Sequence, residues 1–297
     1  MHSGPPNATI PHQRASRLSR RQFIGGVAAL AATAVAAETF FFEPRRVALS
    51  RHTLAAPHET RSIRMAQLSD LHLRSIGAHE ERIAQVVRAA SPDIILYTGD
   101  AIDRADALPL LDEFLSLLPK AKASFAILGN WEYWGRIDLR ALDTLYARHD
   151  VQLLVNRSVA SSAHGRSFTF VGLDDLIGGK PNAARAFAEV EAGAPAQIVL
   201  AHCPVHRDVL WPKAPGENTS PAAAESRYRP IAVLAGHTHG GQVCVGGWAP
   251  VRPRGSGRYV SGWYRDAEIP MYVSRGLGTS IVHARLGSVP EVAVFDA

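Results

Sequence analysis

Sulfur is scarce in this chain of 297 residues, which has two cysteines, Cys203 and Cys244, and three methionines. With no Cys-x-x-Cys spacing, that excludes both a disulfide framework and a cysteine-based zinc finger. Beyond residue 42 no apolar run is long enough to cross a bilayer, and no internal repeat is present. Charge excess is also missing from most of the chain. The net charge of +5 resides entirely in residues 1–52, which hold seven arginines against Glu38 and Glu43, so that residues 53–297 are formally neutral. A neutral body gives no bulk electrostatic support for binding a nucleic-acid backbone, and no nucleic-acid partner is expected.

The basic N-terminus has a different explanation. Ser19-Arg20-Arg21-Gln22-Phe23-Ile24 precedes an alanine-rich apolar run over 25–37, with small residues at Ala34-Val35-Ala36. A basic region, an apolar region and small residues describe an export signal, and the adjacent arginines resemble a twin-arginine signal. Phe40-Phe41-Phe42 lengthens the apolar stretch to about 18 residues, near the lower limit for a spanning helix. Residues 1–42 are therefore expected to be a twin-arginine-type signal peptide or an uncleaved membrane anchor. The export machinery would be a partner, and the mature protein would lie outside the cytoplasmic membrane. Residues 43–60, with Pro44 and Pro57, read as a linker, and 61–297 as one domain.

Within that domain short apolar runs alternate with helix-like segments, the pattern of layered α/β structure. Strands are expected at 64–68, 93–97, 124–128, 151–155, 167–173, 197–201, 231–235, 242–245, 271–274 and 289–295, and helices at 80–90, 108–118, 137–148 and 182–192. Residues 212–229, with Pro212, Pro215 and Pro221, read as a long surface loop suited to a lid or substrate wall.

Chemistry collects where the strands end. After 64–68 come Asp70 and His72, after 93–97 Asp100, after 124–128 Asn130, after 197–201 His202, and after 231–235 His237 and His239. In an extended backbone residues i and i+2 share a side, so His237 and His239 are expected to reach one region. Each residue alone has a bland reading: Asp70 and Asp100 as helix caps, His202 as a core histidine, Asn130 as a left-handed turn residue. Together they are seven oxygen and nitrogen donors at the carboxyl ends of five strands, where α/β sheets bind ligands. Mixed imidazole, carboxylate and amide donors suit divalent Mn, Fe or Zn, and seven are enough for two ions.

The order Asp-x-His, Gly-Asp, Gly-Asn-x-Glu, His, Gly-His-Thr-His resembles that of the calcineurin-like metallophosphoesterases, in particular their exported, YkuE-like bacterial branch. Gly129-Asn130-Trp131-Glu132-Tyr133-Trp134 and Gly236-His237-Thr238-His239-Gly240-Gly241-Gln242 carry the match, with 272–278, Arg285 and Pro290-Glu291-Val292 beyond them. The resemblance implies a four-layer α/β/β/α sandwich of two mixed sheets flanked by helices, with the metal site at the strand ends. It implies that Asp70, His72 and His239 hold one divalent ion, that Asn130, His202 and His237 hold another, and that Asp100 bridges them. Catalysis would rest on Asp100, Asn130 and His237 in the metal shell, with a hydroxide on the metal pair as nucleophile. The substrate would be a phosphodiester or pyrophosphate, lipid-linked or a nucleotide, and the protein a monomer.

One position departs from the family. Trp131 stands where the pattern has histidine, and an indole donates a hydrogen bond but cannot act as a general acid near neutrality. Activated leaving groups are expected to suit such a site, with His206 or His79 as substitute acids. The alternative is a metal-binding relative that lost activity with that histidine. Glu132 is expected to orient ligands, Asp103, Asp174 and Asp175 lie near strand ends, and Arg275 or Arg285 could bind phosphate. Trp131, Tyr133 and Trp134 form an aromatic platform for an apolar substrate group. Gly240 and Gly241 are expected to leave room for a phosphate. Cys203 and Cys244 each lie near a ligand, so a bridge between them stays open.

Overall fold

The structure is a computed structural model that describes residues 19–54, 62–190, 194, 196–211 and 230–297. It divides into two units, residues 1–37 and Glu38–Ala297. The first contributes helix α1 (Arg20–Ala37), which leaves Phe23, Ile24, Val27 and Leu30 exposed. By length and composition the stretch Arg20–Arg45 could cross a membrane, with a mean hydropathy of 1.6.

The second unit runs β1 (Ala48–Thr53), β2 (Arg64–Leu68), α2 (Ala78–Ala90), β3 (Ile94–Thr98), α3 (Leu108–Leu117), β4 (Ala123–Ile127), α4 (Asn130–Trp134), α5 (Leu139–Arg148) and β5 (Val151–Leu153). It continues through β6 (Arg157–Ala163), β7 (Arg166–Gly172), α6 (Ala183–Ala186), β8 (Gln197–Ala201), α7 (His206–Leu210), β9 (Ala232–Ala235), β10 (Gly262–Tyr264), β11 (Met271–Val273) and β12 (Glu291–Asp296). One six-stranded sheet has the order β1-β12-β2-β3-β4-β5 and the other β10-β11-β9-β8-β7-β6. Both are mixed: β12 is antiparallel to β2 in the first, while β6 and β10 are antiparallel to their neighbours in the second.

The strand period builds the layers. In β3, Ile94 and Leu96 face the second sheet, while Ile95 and Tyr97 face α2, α3 and α5. Between the sheets Phe125 packs on Phe170 with ring centroids 4.9 Å apart, and truncating such a buried ring to alanine costs about 3–5 kcal/mol. Phe187, Leu210 and Trp211 cover the outer face of the second sheet. The expected α/β/β/α order is therefore present. The helices show ordinary start and stop chemistry. Asp138 accepts from the N–H groups of Arg140 and Ala141 to open α5, and Ser91 closes α2 in a left-handed conformation.

Three expectations need correction. Residues 43–60 were expected as a linker, yet the Glu43 carboxylate accepts from Gly287 N and Ser288 N, and β1 pairs in parallel with β12 at the sheet edge. Its alternating half-buried and exposed residues show no apolar period, because an edge strand is held through its backbone. Residues 242–245 form no strand; Val243 makes a single bridge to Leu286, and Val245 bridges Trp248 around Gly246 and Gly247. The helix expected at 182–192 reduces to Ala183–Ala186 among the described residues. The loop expected at 212–229 lies outside the described residues.

Candidate metal centre

Strands β2, β3 and β4 of one sheet and β8 and β9 of the other end at a common place, and a buried glutamine joins the two behind it. Gln67 on β2 donates to Thr98 Oγ1 at 2.9 Å and to Ala235 O, on β9, at 3.0 Å. Further out, the Asp70 carboxylate accepts the His237 N–H at 2.9 and 3.0 Å, so a residue after β2 holds the backbone after β9.

The side chains beyond these strands form two buried groups. Asp70, His72 and His239 make one, and Asp100, His202 and His237 the other, with the donor atoms of each group within 4.8 Å of one another. In the first, His72 Nε2 faces His239 Nε2 at 3.0 Å, and His239 Nε2 lies 3.5 Å from Asp70 Oδ1. In the second, His202 Nε2 lies 3.1 Å from Asp100 Oδ2, 3.2 Å from His237 Nδ1 and 3.2 Å from Asn130 Oδ1. Asp100 Oδ2 also lies 3.8 Å from His72 Nε2, so it stands between the groups.

These donors fit metal ions chemically. Two imidazole nitrogens facing each other at 3.0 Å need a proton or a cation between their lone pairs. The outer nitrogens are already committed: His202 Nδ1 pairs with Thr98 O at 2.8 Å and His237 Nε2 with Arg254 O at 2.7 Å, which leaves His202 Nε2 and His237 Nδ1 free to ligate. Electrostatics agree. Burial and neighbouring charges, His72 and Arg285 for His239 and His202 for His237, push these two imidazoles down, towards the neutral ligand form. Burial opposes ionisation of Asp100, yet His202, His72 and His237 hold its carboxyl down at about 2. Against the same burial, Asp100 raises His202, while Asp103 and Asp100 raise His72, so each group attracts positive charge. Burial pushes Asp70 up.

The backbone is unusual here. Asp70, His72, Asp100, His237 and His239 all have positive φ, between 46° and 71°. The extended geometry expected for 237–239 is thus replaced by left-handed turns, and the two histidines diverge into different groups. Asn130 is not left-handed; it opens α4. Gly129 matters through space, since a Cβ there would lie 2.3 Å from Asp100 Oδ1.

Glu132 holds this loop: its carboxylate accepts from Ala101 N at 2.7 Å, Gly129 N at 2.8 Å and Asp100 N at 3.1 Å. Burial and the charge on Asp100 push its carboxyl up to about 7, against three donors that favour the anion. Trp131 stands edge-on to His72 with ring centroids 6.0 Å apart and touches Trp134, which is 54% exposed. Asp103, one loop acid among several in the sequence, pairs with His72 Nδ1 and fixes that ring.

The remaining candidates have partners within the protein. Asp174 accepts from Tyr133 Oη and Lys180 N, and Asp175 accepts from Cys203 Sγ at 3.2 Å and from Ile177 N and Gly178 N. Both cysteines are free. Arg285 is fully buried and donates to Arg275 O and Ser288 O, so it does not stand open to a phosphate, while Arg275 is partly exposed and ion-paired to Glu291 at 2.7 Å. Burial pushes His206 down to about 4, which makes it a poor acid at neutrality, and His79 Nε2 pairs with Leu277 O. Gly240 and Gly241 leave no spare room, because added Cβ atoms would lie 2.3 Å from Ser288 Oγ and 2.3 Å from Ala249 Cβ.

The model of one family, the calcineurin-like phosphoesterases, matches residues 63–241, which include every residue of both groups. The chain belongs to that family. As a calcineurin-like phosphoesterase it is a hydrolase, with two groups of residues that fit a pair of metal ions. It is 29% identical to metallophosphoesterase YkuE of Bacillus subtilis, over 94% of this chain and 97% of the relative. It is 30% identical to phosphodiesterase YaeI of Escherichia coli, over 94% and 99% respectively. A solved dimetal phosphatase from Danio rerio aligns with a TM-score of 0.41 and 14% identity, over 73% of this chain and 88% of that one.

Proposed function

We propose that this phosphoesterase hydrolyses a phosphodiester or pyrophosphate bond at a dinuclear centre. Asp70, His72 and His239 would hold one ion, Asn130, His202 and His237 the other, and Asp100 both. The observation that carries this reading is Asp100 Oδ2, buried between His202 of one group and His72 of the other. Bound divalent ions supply Lewis acidity, which polarises a phosphoryl oxygen and acidifies water. The protein's own part is orientation: Thr98 O, Arg254 O and Asp103 fix the imidazoles, and Glu132 fixes the Asp100 loop. Mn, Fe and Zn all suit these donors.

Trp131 narrows the substrate. It occupies the rim beside His72, can donate one N–H and carries no transferable proton near neutral pH, so leaving groups stable as anions are favoured. A lipid-linked phosphate fits the surroundings. Trp134, Phe40–Phe42, Val245, Trp248, Ile281 and Val282 are exposed apolar side chains. The segments that carry Phe40, Val245 and Ile281 are tied together by Arg285 N to Thr39 O at 2.9 Å, Cys244 N to Leu286 O at 2.7 Å and Ser280 N to Gln242 Oε1 at 2.6 Å. With Arg20 and Arg21 as the first residues of an otherwise apolar helix, this supports twin-arginine export and work at the outer face of the cytoplasmic membrane.

The test is a substrate panel. Protein loaded with Mn, Fe or Zn is assayed on an aryl phosphodiester, an aryl phosphomonoester and a nucleoside pyrophosphate, with bound metal measured in parallel. Turnover of the diester or the pyrophosphate is expected. No turnover of any of the three by protein with both ions bound would overturn the reading.

A further inference from the structure

A cavity of 550 Å³ has His72, His79 and His283 in its wall beside three cations, Arg45, Arg74 and Arg82. Their charge is poorly compensated. Arg45 donates to Phe41 O at 2.5 Å and Arg82 to Gln85 Oε1 at 3.4 Å, and neither makes an ion pair among the described residues. The acid nearest Arg74 is Asp103, at 3.8 Å, and Asp103 is already engaged by His72. Among the described residues Glu80 is the one carboxylate in the wall, and it is turned back onto Gly77 N at 3.0 Å, at the start of α2. Burial, then Arg45, Arg74 and His79, push His283 down, towards the neutral imidazole.

Three guanidinium groups around one concave space repel each other, and a cleft of one sign concentrates the opposite ion. Guanidinium also matches phosphate oxygens with paired donors. His72, whose side chain is fully buried, lies in the wall of this cavity and in the first metal group, so a single residue stands between the two spaces. We propose that the cavity is an anion subsite, which receives a second phosphate or pyrophosphate group of the substrate while the group to be cleaved lies at the metal centre. The inference rests on the proposed function for the identity of the reacting bond, and on the cavity alone for binding. The substrate class becomes an ester or anhydride with a second anionic group on the His72 side of the scissile phosphorus.

The test compares wild type with the triple variant Arg45→Gln, Arg74→Gln, Arg82→Gln. Metal-loaded protein is assayed on the p-nitrophenyl ester of thymidylate and on the same ester with a further phosphate on the sugar. In the triple variant KM for the ester with the further phosphate should rise at least about tenfold, with KM for the simple ester and both kcat values within about twofold. A second readout is independent of turnover. Inorganic tripolyphosphate should bind full-length protein without added metal at least about tenfold more weakly in the triple variant, by calorimetry. Arg88→Gln, on the same helix but outside the cavity wall, should leave that binding unchanged. Equal changes in KM for both esters, or unchanged tripolyphosphate binding, would overturn the subsite. If the wild type turns over neither ester, that counts against the proposed function, and calorimetry alone then decides the subsite.

Discussion

Replacing Gly129 by alanine should disable the centre while leaving most of the fold in place. The added carbon would lie 2.3 Å from Asp100 Oδ1, 2.7 Å from Asp100 N and 2.8 Å from Asp100 Cγ. A carbon and an oxygen need roughly 1 Å more than the shortest of these separations, so the Asp100 carboxylate or the loop carrying it must move. The same Oδ1 accepts from Trp131 N at 2.9 Å, a hydrogen bond to a charged group worth about 1.5–3 kcal/mol that the displacement would break. Overpacking of this kind costs about 1–3 kcal/mol in stability. Displacing reacting groups by roughly 1 Å costs about a hundredfold in rate. Gly129→Ala should therefore bind metal at least about tenfold more weakly and lose about a hundredfold in kcat/KM, with a modest fall in the urea midpoint. Calorimetric metal titration, steady-state rates and urea unfolding measure the three quantities. Gly26→Ala, whose added carbon meets nothing within 4 Å, is the control. Metal affinity and kcat/KM both within about threefold of wild type would refute the steric argument, since that would mean the loop yields at almost no cost.

Four shorter predictions follow from other features. Trp131→His restores a titrating group beside His72 and should speed hydrolysis of a simple alkyl phosphodiester by about a hundredfold, with little change on p-nitrophenyl esters; an unchanged alkyl rate would show that no acid is missing. Chelation should lower the melting temperature by about 10 °C, because two ions each bound at about a hundred times their Kd contribute roughly 5 kcal/mol together; added Mn or Zn should reverse it, and an unmoved transition would speak against tight binding. For Asp93, burial is outweighed by the hydrogen bond from Arg64 N and by Lys122 and His164, which hold its carboxyl below the usual range. That stabilisation is present above the unfolded value near pH 4 and is lost as pH falls through the folded value, so the urea-midpoint gap between wild type and Asp93→Asn should close in acid. Burial and then Asp175 push the Cys203 thiol far up, so iodoacetamide should label the native protein at Cys244 and not at Cys203, as read by mass spectrometry.

The parts of the fold legible in the sequence are those where burial imposes a period. Strands β2, β3, β4, β8 and β9 carry mainly apolar runs because both of their faces are covered, and all of the donors follow these runs directly. β1 was not legible, since its residues alternate between half-buried and exposed and its place depends on pairing with a strand about 240 residues later. The identity of the donors was legible, but their partition was helped by resemblance rather than by spacing. An extended reading of 237–239 would have sent both histidines to one group, whereas positive φ at each sends them apart. Asp103 carried no signal that distinguished it from other loop acids; only the approach of the β2 and β3 loops makes it the partner of His72. Arg285 reads in the sequence as a phosphate ligand because buried arginine is rare, and its carbonyl partners Arg275 O and Ser288 O come from two irregular segments with no pattern of their own.

The five positive φ angles set the centre against the stability of its own scaffold. Each such conformation costs a non-glycine residue roughly 1–2 kcal/mol that glycine would not bear. In metal-free protein, therefore, His239→Gly should relieve local strain and remove a buried polar group at the same time. Such a substitution would be among the most stabilising available at these positions, and it would also be one that abolishes metal binding. Under selection for thermal resistance alone, with no demand for turnover, this loop cluster is where sequences should drift first, and they should drift towards glycine.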